Sequence, residues 1–448
     1  METLDVRLQK RMHVSLYALI FLTVLLGISI LLEGCTDSCE TRARYMYYEP
    51  TYTPLEELRS SIQLAEARPI KTVGKIYRRG DVLFINEPGK GIHIVDNADP
   101  SKPNLKSFLE VPGNFDLAVK ENTLYADSYI DLVAFDISNI SDIRPVARLE
   151  NVFHDYNYPS EFRVDPSRGL ITGWTHRESM EVTQSDCKSG SVEPFVWLTE
   201  GIAVCDVATF NSSITKSLAI APGNGSGPGA GGSMARFAVE ENYLYALDAG
   251  SIQAFDITSA HAPVEKEESY ISWDIETIFP YNHHLFIGSS SGMHILNLSD
   301  PAAPQRLSTY SHITSCDPVA VDEKYAYVTL RSGTTCQGFT NQLEVIDITD
   351  LTNPQLQATY PMFNPHGLGI DNKTLFVCDG DQGLKIYDAS NIQTIPENML
   401  AHYNSIHAYD VIPLSDVLVM IGNDGLFQYD YSNPKEIRLL SHLPVHAN

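Results

Sequence analysis

Eight residues at matching places along the chain carry most of its candidate chemistry: Lys75, Asp116, Glu161, Arg236, Glu276, Asp317, His366 and Asp410. Five are acids, and Ca2+ takes about six to eight oxygen ligands, so a ring of them has the composition to hold that cation. With Lys75, Arg236 and His366 among the acids, the same ring equally describes solvated charges paired with one another. No Asp-rich calcium loop occurs, and no metal ligand set is assigned. Carboxylates in pairs, such as Glu276 with Asp317 or Asp410, are the residue type that glycoside hydrolysis requires. His366 and His407 fall near the same rim, where polar lining is their simplest role.

Other signatures of catalysis are missing from the sequence. There is no His-Glu-x-x-His and no phosphate loop. Residues 222–233, PGNGSGPGAGGS, lack the Lys-Ser/Thr ending and the following helix that a phosphate loop needs. They read as a flexible connection. Of the 7 cysteines, Cys35 follows an apolar leader and is the candidate for lipidation. Cys316 and Cys336 fall in one repeat, at a strand start and in its long loop, and are a candidate disulfide outside the cytoplasm. Cys39 and Cys187 stay unassigned. Cys205 and Cys378 lie within strand runs, as buried thiols acting as small hydrophobes. No Cys-x-x-Cys zinc spacing exists.

A repeated phrase must position these residues. Residues 342–354, QLEVIDITDLTNP, alternate apolar and polar side chains at period two and close on Asp347-Ile348-Thr349, a strand ending in an Asx-type turn. Edited copies end at Asp96, Asp136, Asp206, Asp256, Asn297, Asp388 and Asp430, so the unit is about 40 residues long, with insertions. The second copy shows four strand-like runs, at 116–120, 123–126, 131–136 and 146–150. The sixth shows them at 319–321, 326–329, 343–348 and 355–360. Four strands per unit, eight times over, predict an all-β, eight-bladed β-propeller of four-stranded antiparallel blades, with a seven-bladed ring as the alternative. Pro103, Pro145, Pro263, Pro304, Pro354, Pro396 and Pro434 recur where the fourth, outermost strand begins. An edge strand tolerates the missing N–H. The third copy departs most, with Val207-Ala208-Thr209 and no following Pro.

Phrases such as IDITDLTNP, IVDNADPSKP and AFDITSAHAP are similar to the LVIVD repeat of secreted and lipid-anchored bacterial proteins. Cys35-Thr-Asp-Ser-Cys39 followed by Tyr-Tyr-Glu-Pro resembles the start of lipoproteins carrying this repeat in the Bacteroidota. The resemblance runs from about residue 70 to the C-terminus. It implies the propeller architecture and little about activity.

Ahead of the repeats, Arg7, Lys10 and Arg11 precede an uncharged apolar run over residues 14–32 that stops at Leu32-Glu33-Gly34-Cys35. This resembles a lipoprotein signal whose Cys35 is acylated after cleavage. A signal anchor is the alternative. Both put the folded part outside the cytoplasm, and Thr36 after the Cys favours the outer membrane. Residues 36–52 read as a tether, and Thr53-Pro54-Leu55-Glu56 as a capping box opening a short helix to Leu64. Against 31 Lys plus Arg stand 56 acids, a net charge of -25, which excludes nucleic acid as a partner class. In a propeller, the link between blades and the loop between second and third strands share one face. The long loops at 176–201, 222–233 and 331–341 all belong there. That face is expected to bind a protein or polysaccharide as a non-enzymatic, membrane-tethered module. A carbohydrate hydrolase or lyase with acids at the channel mouth is the competing reading.

Overall fold

A computed structural model describes residues 19, 22–23, 38–153, 166–186, 197–198, 201–204, 235–248, 250–312, 318–332, 340–415 and 417–446. The chain divides into two units. The larger, Thr51–Gly173 with Ala208–Asn448, holds seven antiparallel sheets with consecutive strands. We number these blades 1 to 7, over residues 76–110, 117–149, 237–270, 275–311, 319–361, 368–403 and 408–444.

Blade anatomy follows from burial. The third strand of blade 7, Gly425–Asp430, is buried along almost its whole length, whereas the outermost strand, Arg438–Pro444, alternates half-buried and exposed residues. Strands covered on both faces read as continuous apolar runs, and those covered on one face alternate. The predicted runs of the second and sixth copies are found at Leu117–Lys120, Thr123–Ser128, Asp131–Asp136 and Arg144–Leu149, and at Val319–Val321, Tyr325–Leu330, Gln342–Asp347 and Gln355–Pro361. Pro354 stands just before its outer strand, while Pro145 lies inside its own, where the ladder to Asp131–Asp136 shifts register.

The core lies between blades. Apolar clusters join blades 1, 2 and 3, then 3 and 4, 4 and 5, 5 and 6, and 6 and 7. Another, containing Ile76, Ile85, Val419 and Ile421, joins blade 7 to blade 1 and closes the ring. Buried tyrosines reach across these seams: Tyr77 Oη donates to Val119 O at 2.6 Å, Tyr125 Oη to Ala260 O at 3.0 Å and Tyr245 Oη to Pro301 O at 2.9 Å.

The Tyr125 bond corrects the blade count. Blade 2 packs directly on the blade built from the fourth sequence copy, and Asp116 Oδ2 accepts from Arg236 N at 2.7 Å and Phe237 N at 2.9 Å. The third copy is therefore outside the ring, which has seven blades. Its strand Gly201–Val204 belongs to the smaller unit, Met1–Pro50 with Trp174–Val207, and pairs with Ser38–Thr53, Ala203 opposite Tyr47. The segment read as a tether is that 16-residue strand. The copy without the Asp-x-Ser turn and its Pro is the one left out.

The expected capping box does not form. Pro54 is itself the N-cap, no side chain caps the helix, and the helix covers Leu55–Ser60. Thr53 Oγ1 instead meets Thr172 Oγ1 at 2.7 Å. Beyond the helix, Gln63–Glu66 adds a fifth strand outside Asn104–Glu110. A helix this short is marginal by itself, and the open sheet edge takes the residues that follow. The helix packs on blade 2, where Arg59 Nε donates to Asp131 Oδ2 at 2.8 Å and Nη2 to Asp131 Oδ1 at 2.9 Å.

Candidate functional site

One end of the ring is built from the blade-to-blade links and the turns between second and third strands, as the repeat pattern requires. In blade 1 the turn meets the next link through Gly89 N to Asn114 O, 2.7 Å, and Gly113 N to Gly89 O, 3.1 Å. Between blades 6 and 7, Ala408 N donates to Gly380 O at 3.1 Å.

First-strand starts converge at this end, in two groups. Lys75 Nζ lies 2.8 Å from Asp116 Oδ2, with both side chains buried. Asp116 also accepts Leu117 N through Oδ1 at 2.7 Å, so its carboxylate is engaged by three blades. Burial pushes the Lys75 ammonium down, and the Asp116 and Asp410 carboxylates on either side oppose that. Arg236 turns its Nη2 to Leu247 O at 3.0 Å. Asp127 closes the group: its Oδ1 accepts from Phe115 N, Asp116 N and Asn114 Nδ2 at 2.8, 2.9 and 2.7 Å. Burial, reinforced by the charge of Asp116, pushes it up to about 7 against those donors.

The second group spans blades 4 to 7. Arg331 Nη1 lies 2.9 Å from His366 Nδ1, and Thr329 Oγ1 donates to His366 O at 2.6 Å. Burial, then the Arg331 and His407 charges, hold His366 down to about 3, so it is neutral near pH 7. Glu276, half-buried, sets its charge toward Arg331. His407 Nδ1 bonds Asp381, Tyr409 Oη bonds Asn423, and the Tyr409 ring meets His366 edge-on at 5.2 Å and His407 at 4.7 Å. Asp410 is fully buried. Gly367 makes room for it, because a Cβ there would stand 1.9 Å from Asp410 Oδ1.

Glu161, Asp317, Cys35, Cys316 and Cys336 lie outside the described residues, as does the 222–233 loop. The six described ring residues reach the ring end but not as one circle. Lys75, Asp116 and Arg236 occupy equivalent positions, whereas bulges between Ile275 and Thr277 and between Ala408 and Asp410 displace Glu276 and Asp410. Cys378 is a buried free thiol, raised well above its ordinary value by burial. Among the described residues no group of three or more His, Cys, Asp or Glu is arranged to hold a metal ion.

Sequence reasoning missed two exposed aromatics on the links of this end. Trp273 is 79% exposed and Phe363 56%; a buried carboxylate holds the Phe363 backbone, and Trp273 directly precedes the buried Asp274. Asp274 accepts from Ser290 Oγ at 3.0 Å, and Asp379 Oδ1 accepts from Phe363 N at 3.1 Å and Asn364 N at 2.7 Å. Lys385 Nζ neutralises Asp379 at 2.5 Å. The only sequence signal was the scarcity of Trp, 3 in the chain.

Residues 74–110 and 315–361 match the LVIVD repeat, which covers blade 1 and blade 5 of the propeller. Similar solved structures include the computationally designed protein Ika8, at 10% identity over 85% of this chain and 90% of that one, with a TM-score of 0.49. BamB from Moraxella catarrhalis follows at 9% identity over 88% and 98%, TM-score 0.47. Sqt1 from Saccharomyces cerevisiae follows at 9% over 84% and 86%, TM-score 0.47. No curated protein matches the sequence. The fold assignment rests on the strand pairing above, and fold alone names no activity.

Proposed function

We propose that the protein is a non-enzymatic binding module of the cell envelope, lipid-anchored through Cys35 at the outer membrane, whose loop-bearing propeller end recognises a protein or polysaccharide. The observation that carries this reading is the pair of solvent-standing rings, Trp273 and Phe363, on links beside the buried carboxylates Asp274 and Asp379. Large exposed aromatics dominate binding energy at interfaces. Burial also speaks against the hydrolase reading. Asp410 lies sealed beside Gly367, and Glu276 faces Arg331, whereas a glycosidase carboxylate must touch its substrate.

The test immobilises the full-length protein and measures retention of envelope proteins and envelope polysaccharide. Trp273→Ala with Phe363→Ala reduces retention of the partner by about tenfold or more, as expected for hot-spot truncation. The rim variant Leu439→Ala, on an outer strand, leaves it unchanged. Equal retention by all three proteins overturns the reading. Mass spectrometry of the protein from membranes addresses the anchor separately: an acylated N-terminal Cys35 supports it, and a chain still beginning at Met1 removes it.

A further inference from the structure

A groove of about 580 Å3 lies over blade 7 at the same end of the ring, a size within the roughly 300–1,000 Å3 of small-molecule sites. One wall is apolar. The imidazole of His442 stacks parallel on the Phe427 ring, centroids 4.1 Å apart and planes 5° from coplanar, beside Ile406, Pro444 and Val445. The other wall is the turn Asn423-Asp424. That turn is held from behind, because the Asp424 carbonyl accepts from both His442 Nε2, at 2.9 Å, and Val445 N, at 3.0 Å. The Asp424 side chain is exposed. Asn423 Oδ1 is taken by the Tyr409 hydroxyl, so the amide offers its NH2.

Two adjacent side chains thus present different chemistry, a donor from Asn423 and an acceptor from Asp424. Neighbouring hydroxyls on a sugar ring need that combination, one accepting and the other donating, while the C–H face of the ring lies on the aromatic stack. An ammonium or guanidinium group fits worse, since it carries donors only and cannot use the Asn423 NH2. We propose that the blade 7 groove is a saccharide-binding subsite in which Asn423 and Asp424 clamp a vicinal diol and the His442–Phe427 stack carries the ring. This deepens the binding reading of the loop-bearing end and rests on it.

The experiment titrates the full-length protein with maltotetraose, cellotetraose, chitotetraose and mannotetraose, and separately with a lysine-rich peptide, by calorimetry and saturation-transfer NMR. At least one saccharide binds, its ring C–H protons receive the saturation, and the peptide does not compete. Asp424→Ala and Asn423→Asp, which keeps the acceptor for Tyr409, each weaken binding about tenfold, and His442→Ala weakens it further. No binding by any of the four, displacement by the peptide, or unchanged affinity in all three variants overturns the proposal. Saccharide binding lost in Trp273→Ala with Phe363→Ala but kept in Asp424→Ala overturns the groove alone and leaves the broader reading standing.

Discussion

At the scale of single residues, the end of the ring shows how much of a charge pattern is consumed by construction. Asp116 looks like a metal ligand in the sequence, yet its oxygens take an ammonium and backbone N–H groups from two neighbouring strands. A buried carboxylate is tolerable only when engaged in this way. Gly367 is the mirror case, a residue valued for what it lacks. Its Cβ would stand 1.9 Å from Asp410 Oδ1 and 3.0 Å from Asp410 Cα, so the neighbouring blade must shift. Gly367→Ala should lower stability by about 1–3 kcal/mol, the usual cost of overpacking, visible as a reduced urea midpoint at unchanged slope. A midpoint equal to the parent's refutes the placement of Asp410. His366 and Asp410 were legible as rim positions because the repeat aligns them. Arg331 and Tyr409, which meet His366, were not, because a loop path and a bulge bring them in.

At the scale of the element, every position of the repeated phrase acquires a reason. The Gly that opens it allows the outer strand to pass close: a Cβ on Gly91 would meet Leu109 O at 2.1 Å, and one on Gly425 would meet Leu443 O at 2.1 Å. The Asp that closes it accepts the N–H two residues on, as in Asp136 with Ser138 at 2.8 Å and Asp347 with Thr349 at 2.8 Å. A second Asx turn follows, Asp350 with Thr352 at 2.9 Å. The apolar residue between donates back to the first hairpin, Ile137 N to Asn122 O at 2.8 Å and Ile348 N to Lys324 O at 2.9 Å. The N–H of Ser138 at Asp136, and the hydroxyls ahead of the N–H groups of Thr258, Thr349 and Ser390 at Asp256, Asp347 and Asp388, hold these turn carboxyls below the ordinary range, with the Lys106 ammonium leading at Asp96. The hydroxyl and N–H of Ser432 bring Asp430 to about 2. A depressed folded-state value stabilises fully above the unfolded value, near about 4, and is lost as pH falls through the folded value. The urea midpoint should therefore fall between about pH 4 and pH 2. Asn at these six positions keeps the acceptor and should flatten the fall, and an unflattened curve sinks the assignment.

At the scale of the whole molecule, the question is how the ring shuts. Blade 7 and the inner four strands of blade 1 are each built from consecutive strands, so no strand is exchanged and the seam rests mainly on side chains. Where blades 2, 3, 4 and 5 bury Ile137, Ile257, Leu298 and Ile348, blade 1 buries Asn97. Its amide pairs reciprocally with Gln428 of blade 7, Nδ2 to Oε1 at 2.9 Å and Nε2 to Oδ1 at 2.7 Å. Ser441 Oγ adds a bond to Pro100 O at 2.6 Å, and His446 N one to Ile70 O at 2.8 Å. Removing the Gln428 amide leaves that of Asn97 without its reciprocal partner, and removing the Asn97 amide leaves Gln428 Oε1 unpaired while Nε2 keeps Ser441 Oγ at 3.1 Å and Pro100 O at 3.3 Å. Asn97→Ile or Gln428→Leu alone should each cost about 1–3 kcal/mol, while the double variant, apolar on both sides, should cost less than either. Additive losses in that double-mutant cycle would break the reciprocal-pair account. This seam was invisible beforehand, since residues 331 apart carry no local sign of meeting.

The sequence by itself determined the unit of construction, its four strands and its turn chemistry, because all of these follow from local periodicity and side-chain-to-backbone bonds within about 40 residues. Only the tertiary structure decided that seven of the eight copies close the ring, that the third pairs instead with Ser38–Thr53, and which charges cancel. Ring closure depends on how wide the blades are and how they pack, and charge cancellation on distances across seams. Both are properties of neighbours far apart in the chain, which no repeat unit encodes alone.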